Sequence, residues 1–249
     1  MTSAAANFGM THWSVSTCNL AEADMALLLM KLKGIRNSVG SAAHRGTASE
    51  AGVVKGLMDP TASLEECQAL AVKEFDRLTA LSADANREKE RDAVPGIVEQ
   101  ALAELRPYGV PSHTQLRIEW SHPDLALPFL GFADFYLEGA GIIVDLKSQL
   151  RLSSEISTQH ARQVALYCGS ISDNIDGRVT YASPKKAATY QVENMRDHLQ
   201  SLVRIAQRVE RFLSISPDIN ELCGLVIPNT SLFYYDPPTR QAAYEIFGI

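Results

Sequence analysis

Asp134, Asp145 and Lys147 fall within one apolar stretch, residues 128–148, which reads PFLGFADFYLEGAGIIVDLKS. Burying an unpaired charge is expensive, so three ionisable side chains in such surroundings need partners. Two carboxylates and a backbone carbonyl make the hard oxygen donor set that a divalent ion such as Mg²⁺ takes. Two carboxylates and an ammonium at one end of a hairpin are tolerable if such a cation joins them. A strand-end ion pair between Asp145 and Lys147 uses the same residues without any chemistry, and would contribute little to stability.

The positioning element is a hairpin. Two apolar runs, 129–137 and 141–147, flank a Glu-Gly-Ala-Gly turn and read as its strands. Period-2 geometry puts Asp145 and Lys147 on one face, with the Leu146 carbonyl between them. Val144 and Leu146 then point the other way, into apolar packing. Upstream, a helix is expected over 43–58, stopped by Asp59-Pro60. Glu50 lies on it at helical spacing from Val53, Val54 and Leu57, so it borders the buried face. Downstream, a helix over 156–167 carries Gln163 and Tyr167 one turn apart, on one face.

The remaining elements follow from periodicity and breakers. Helices are expected over 21–32, from a Ser63/Glu66 capping box to about 81, over 95–105 with Pro95 in the first turn, and over 192–213. Leu199, Leu202, Val203, Ala206, Val209 and Phe212 form the apolar stripe of the last of these. Arg204, Arg208 and Arg211 form a basic row on another of its faces. Strands are expected over 115–120 and 178–182. Residues 82–93 are densely charged and read as a solvated helix end or connection.

With 249 residues, 46% hydrophobic and 21% charged, the chain can bury a sizeable core. Cys18, Cys67, Cys168 and Cys223 show no Cys-x-x-Cys spacing and read as reduced thiols rather than a zinc site or an Fe–S cluster. No run is long and apolar enough for a bilayer, and no signal peptide is legible, so a cytoplasmic protein is expected. The net charge of −6 argues against a general nucleic-acid coat. The charge is uneven, however. Residues 59–107 carry eleven Asp/Glu against six Lys/Arg, and residues 147–211 carry ten Lys/Arg against six Asp/Glu. A localised groove could therefore still receive DNA.

Five short motifs stand in order: Trp13-Ser-Val-Ser-Thr, Arg45-Gly-Thr-Ala-Ser-Glu50, Gly131-Phe-Ala-Asp134, Ile142-Ile-Val-Asp145-Leu-Lys147-Ser148 and Gln163-Val-Ala-Leu-Tyr167. The series resembles the PD-(D/E)xK nuclease superfamily, in its RecB-like and phage exonuclease-like branch, over about residues 13–190. Glu50 stands where RecB-like enzymes have His; Glu at this place occurs in the branch similar to phage lambda exonuclease. The clustered cysteines that hold an Fe–S cluster in some relatives are missing.

The resemblance implies an α/β fold: a restriction-endonuclease-like core with a central mixed sheet flanked by helices. It implies a single nuclease domain over 1–249, with 59–107 as a helical insertion and 192–249 as a C-terminal helix and tail packed on the core. The implied activity is Mg²⁺-dependent hydrolysis of DNA phosphodiesters, with Mn²⁺ as the alternative ion. An exonuclease of phage or bacterial recombination, repair or DNA degradation is expected, in the host cytoplasm if of phage origin. Glu50, Asp134, Asp145 and the Leu146 carbonyl would hold the metal. Lys147 would orient or help deprotonate the attacking water. Gln163 and Tyr167 would position the strand or brace the ligands. Arg151, Arg162, Lys185 and Lys186 are candidate phosphate contacts. DNA is the expected partner; a recombination or single-strand-binding protein and an oligomeric assembly are compatible with this reading. A structure-specific endonuclease, or a catalytically silent DNA-binding or assembly protein of the same fold, are the alternatives.

Overall fold

The structure is a computed structural model that describes residues 3–36 and 38–248; Met1, Thr2, Asn37 and Ile249 lie outside the described residues. In chain order the elements are α1 (Ala4–Asn7), α2 (Val15–Ala23), α3 (Met25–Leu32), α4 (Ser41–Met58), α5 (Leu64–Leu78), α6 (Arg87–Leu105), β1 (His113–Trp120), β2 (Phe129–Leu137), β3 (Ile142–Ser148), α7 (Thr158–Ile171), β4 (Asp176–Ala182), β5 (Ala187–Gln191), α8 (Met195–Leu213), α9 (Ile219–Cys223) and α10 (Pro237–Phe247). The five strands form one sheet in the order β1-β2-β3-β4-β5. β2–β3 and β4–β5 pair antiparallel and β3–β4 parallel, so the sheet is mixed and the fold is α/β.

The chain divides into two compact units. One comprises Met1–Ser38, Ile118–Gly131 and Arg196–Ile249; the other comprises Val39–Arg117 and Phe132–Met195. The first unit contains α2, α3, α9, α10 and nearly all of α8. Its apolar cluster joins Leu27 and Met30 of α3 to Tyr235 and Ala243. On α8, Leu202, Val203, Ile205, Ala206, Val209 and Leu213 are buried, whereas Arg204, Arg208 and Arg211 are exposed.

The second unit holds every residue that the sequence marks for chemistry. Its core joins one face of the sheet to three helices: Phe135, Leu137, Val144 and Leu146 pack with Val53 and Leu57 of α4, Phe75 of α5, and Val94, Ile97, Val98 and Leu102 of α6. Strand alternation sends Val144 and Leu146 into this core and leaves Asp145 and Lys147 on the opposite face. The helical segment of 59–107, expected as an insertion, therefore supplies much of the hydrophobic core behind the hairpin. Gly52 and Gly56 permit the close approach. A Cβ at Gly52 would sit 2.6 Å from the Cys67 carbonyl oxygen, and one at Gly56 2.8 Å from the Leu102 side chain.

Several boundaries differ from expectation. The single helix over 21–32 is two helices, α2 and α3, because Asp24 takes an extended conformation and caps the second through the Ala26 N–H. Pro95 lies inside α6 rather than in its first turn, and the charged stretch before it is helical from Arg87 onward. Ion pairing accounts for that. Arg91 grips Asp76 of α5 through two hydrogen bonds of 2.7 Å, and Arg87 adds a third of 3.0 Å. The helix expected over 156–167 is shifted to Thr158–Ile171, capped by Ser157. β5 is short and half-exposed, without the alternation that marks a strand in sequence. Among the described residues no helix is long and apolar enough to cross a membrane.

Candidate active site

Register brings the two aspartates together. Phe135 faces Val144 across the antiparallel pair, and one further step along that register sets Asp134 opposite Asp145. Both are buried, Asp134 at 8% exposure and Asp145 at 0%. Asp134 Oδ2 accepts a 2.8 Å hydrogen bond from the Leu146 N–H, so Leu146 contributes its amide to the site. Lys147 Nζ lies 2.7 Å from Asp145 Oδ2. Beyond that ammonium, the Asp145 carboxylate has no hydrogen-bond partner among the described residues.

Helix α4 brings Glu50 to the same place, half-buried as its helical position implies. Its carboxylate and that of Asp134 are bridged by a residue that motif reading missed. The Gln115 amide nitrogen donates to Glu50 Oε1 and, at 3.0 Å, to Asp134 Oδ1. Gln115 sits in β1 with φ of +50°, in the left-handed region. A lone strand glutamine carries no sequence signal for such a role.

Helix α7 closes the other side. Lys147 Nζ donates to Gln163 Oε1 at 3.1 Å, and Gln163 Nε2 donates to the Tyr167 hydroxyl at 2.7 Å. Glu50, Asp134, Asp145, Lys147, Gln163 and Tyr167 thus form one connected set. His160, one turn before Gln163, was also missed. Its Nδ1 lies 2.7 Å from the hydroxyl of Tyr181, the β4 partner of Lys147.

Arg45 braces this arrangement from behind. It is 7% exposed and forms an ion pair with Glu90 of α6, itself 6% exposed. The same guanidinium donates to the Ser148 carbonyl at 3.0 Å, fixing the end of β3 immediately after Lys147. The Arg-Gly-Thr motif therefore has a structural role in holding that strand end. Glu90 gave no sequence signal, being one of many acidic residues in its segment.

The electrostatics follow from crowding. Burial, and then the charges of Asp145 and Glu50, push the Asp134 carboxyl well above the usual carboxylate range. Burial also raises Glu50, against the opposing Gln115 hydrogen bond. For Lys147, burial works to lower the pKa, but the charges of Asp145 and Asp134 outweigh it and the ammonium is held more firmly protonated than usual. His160 is lowered by burial and by the neighbouring Lys147.

The sequence matches no protein-family model and no curated protein. It is similar to a solved structure titled "Crystal structure of SSO0001", at 15% identity over 86% of this chain and 95% of that one, with a TM-score of 0.35. A likeness at that level assigns neither fold family nor function.

The donor set fits a hard divalent cation in kind: carboxylate oxygens, those of Asp145 fully buried with no hydrogen-bond partner beyond the Lys147 ammonium. In the present arrangement, no three His, Cys, Asp or Glu side chains among the described residues are grouped closely enough to hold a metal ion. Internal donors occupy the carboxylates instead: Gln115 on Glu50 and Asp134, Leu146 on Asp134, and Lys147 against Asp145. Of the candidate phosphate contacts, Arg151, Lys185 and Lys186 are exposed. Arg162 is 5% exposed, so its placement does not suit a phosphate at the surface.

Proposed function

We propose that this protein is a divalent-metal-dependent deoxyribonuclease that hydrolyses DNA phosphodiesters, acting from DNA ends. One observation carries the reading. A fully buried Asp145, with no hydrogen-bond partner beyond the ammonium of Lys147, converges with Asp134 and Glu50 from three separate elements. Setting three carboxylates, two of them buried, around one ammonium is unfavourable for folding alone and is consistent with a site kept for chemistry. The order of the motifs resembles the PD-(D/E)xK nucleases and adds support, as does a mixed sheet flanked by helices.

Glu50, Asp134, Asp145 and the Leu146 carbonyl would hold Mg²⁺ or Mn²⁺, which when bound supplies an acidified water and neutralises charge on the phosphate. Lys147 has the clearest role of its own. In the metal-free protein its neighbours keep its proton on Nζ, so it presents a positive charge toward a phosphate oxygen and an orienting donor toward water. Gln163 Oε1 accepts from that ammonium and limits the directions in which it can point; Tyr167 fixes the Gln163 amide in turn. Arg151, Lys185 and Lys186 provide exposed positive charge for the DNA backbone.

The test is degradation of end-labelled linear DNA, single- and double-stranded, beside a covalently closed circle, with Mg²⁺, Mn²⁺ or EDTA. Loss of linear DNA alone, abolished by EDTA and by Lys147→Ala, is the expected result. Nicking of the closed circle would replace the end-dependent reading with an endonuclease. Bound but uncut DNA under every condition would overturn the catalytic reading and leave a binding protein.

A further inference from the structure

We propose that Gln115 is a positioning residue that gates the acidic site: its amide occupies the place that a divalent cation shared by Glu50 and Asp134 would take. The inference rests on the metal-dependent reading above and adds a residue that no motif marks.

Two independent features point to it. The first is the hydrogen-bond pattern. One amide nitrogen donates to Glu50 Oε1 and to Asp134 Oδ1 together, so it stands where a cation shared by these two carboxylates would stand. An N–H group and a cation compete for the same lone pairs. The second is the backbone. Gln115 holds φ of +50° within a strand, a conformation that residues other than glycine adopt at a cost. Asparagine and aspartate tolerate that region through local side-chain hydrogen bonds; the longer glutamine side chain reaches past its own backbone. The strain is therefore spent on aiming one side chain at two carboxylates.

The location suits a gate. Gln115 is exposed, whereas Asp134 behind it is buried. The amide thus covers the carboxylates from the solvent side. It also relieves their mutual repulsion when no cation is present, because two N–H donors face two negative groups. Its stabilisation belongs to the metal-free state and is lost when a cation takes those oxygens. By linkage, a group that stabilises only the metal-free state weakens metal binding.

The experiment compares metal-free wild type, Gln115→Leu and Gln115→Gly by titration calorimetry with Mn²⁺ and by thermal unfolding with and without it. Both variants lose the amide. The glycine variant also relieves the backbone, so it gives a readout if the leucine variant folds poorly. The expected result is Mn²⁺ binding at least about threefold tighter in each variant, with a larger rise in melting temperature on adding Mn²⁺. Unchanged binding would overturn the gate. Weaker binding would overturn it as well, and would make Gln115 a supporting ligand. Absence of Mn²⁺ binding by the wild type and by both variants would instead remove the metal-dependent reading itself, so the two failures are separable.

Discussion

Lys147 Nζ stands 2.7 Å from Asp145 Oδ2, joining a side chain that is 23% exposed to one that is fully buried. Asp145 has no other hydrogen-bond partner, so this ammonium is its main electrostatic compensation. Replacing Lys147 by methionine keeps the aliphatic stem and removes the charge. Leaving a buried carboxylate uncompensated costs about 3–5 kcal/mol. Lys147→Met should therefore lower the unfolding free energy of the metal-free protein by that order, read as a drop in its urea midpoint. Cleavage should fall by at least about 100-fold, the lower end of what a positioned proton-handling or charged group supplies. An unchanged midpoint would show that Asp145 finds another partner or takes up a proton without penalty.

Asp134 and Glu50 give the site a pH signature. Burial raises both carboxyls, and the charges of Asp145 and Glu50 raise Asp134 further. A raised carboxyl pKa means that the native state binds the proton more tightly than the unfolded chain does. This contribution is complete below the unfolded carboxylate value of about 4 and is lost as pH rises through the native value. Metal-free wild type should therefore lose more stability as pH rises above the unfolded carboxylate value of about 4 than Asp134→Asn does. Lys147 stays charged throughout, so it does not confuse the comparison. Parallel stability curves for the two proteins would count against the raised Asp134.

How much of this was legible in the sequence differs by residue. The hairpin was legible because alternation and a glycine turn are local signals; β2, β3 and the shared face of Asp145 and Lys147 appear as read. Gln163 and Tyr167 were legible through helical spacing. Gln115 was not, because its role depends on an unusual φ and on a pairing across 65 positions of sequence. Glu90 was hidden for a similar reason. Acidic residues are common in its segment, and only the tertiary fold shows which one is buried against Arg45. The helical character of 87–94 was obscured because its charges pair with Asp76 on another helix rather than with solvent.

The Arg45–Glu90 pair should behave as a brace and not as chemistry. Both side chains are buried, and Arg45 also holds the Ser148 carbonyl. Glu90→Ala strands a buried guanidinium and should cost about 3–5 kcal/mol in chemical denaturation. Glu90→Gln keeps a hydrogen-bond acceptor and should cost less. The double variant Arg45→Met, Glu90→Leu should recover much of the loss, since apolar replacement of a buried ion pair is often neutral. A double variant as unstable as Glu90→Ala would place the energy in the Ser148 contact instead.

Two glycines of α4 offer a contrast that tests the packing behind the site. Alanine is favoured over glycine inside a helix by about 1 kcal/mol, so propensity alone predicts the same gain at both. Space separates them. A Cβ at Gly46 would meet only the Ser148 Oγ, at 3.6 Å, an ordinary contact. At Gly52 it would lie 2.6 Å from the Cys67 carbonyl oxygen and 2.9 Å from the Ala71 Cβ, both on α5. Backbone cannot yield as a side-chain tip can, so α5 must shift, at an overpacking cost of about 1–3 kcal/mol. Gly46→Ala should therefore leave thermal stability unchanged or raise it, and Gly52→Ala should lower it despite the better helix former. Equal effects at the two positions would mean that α4 and α5 are not packed as closely as these distances require.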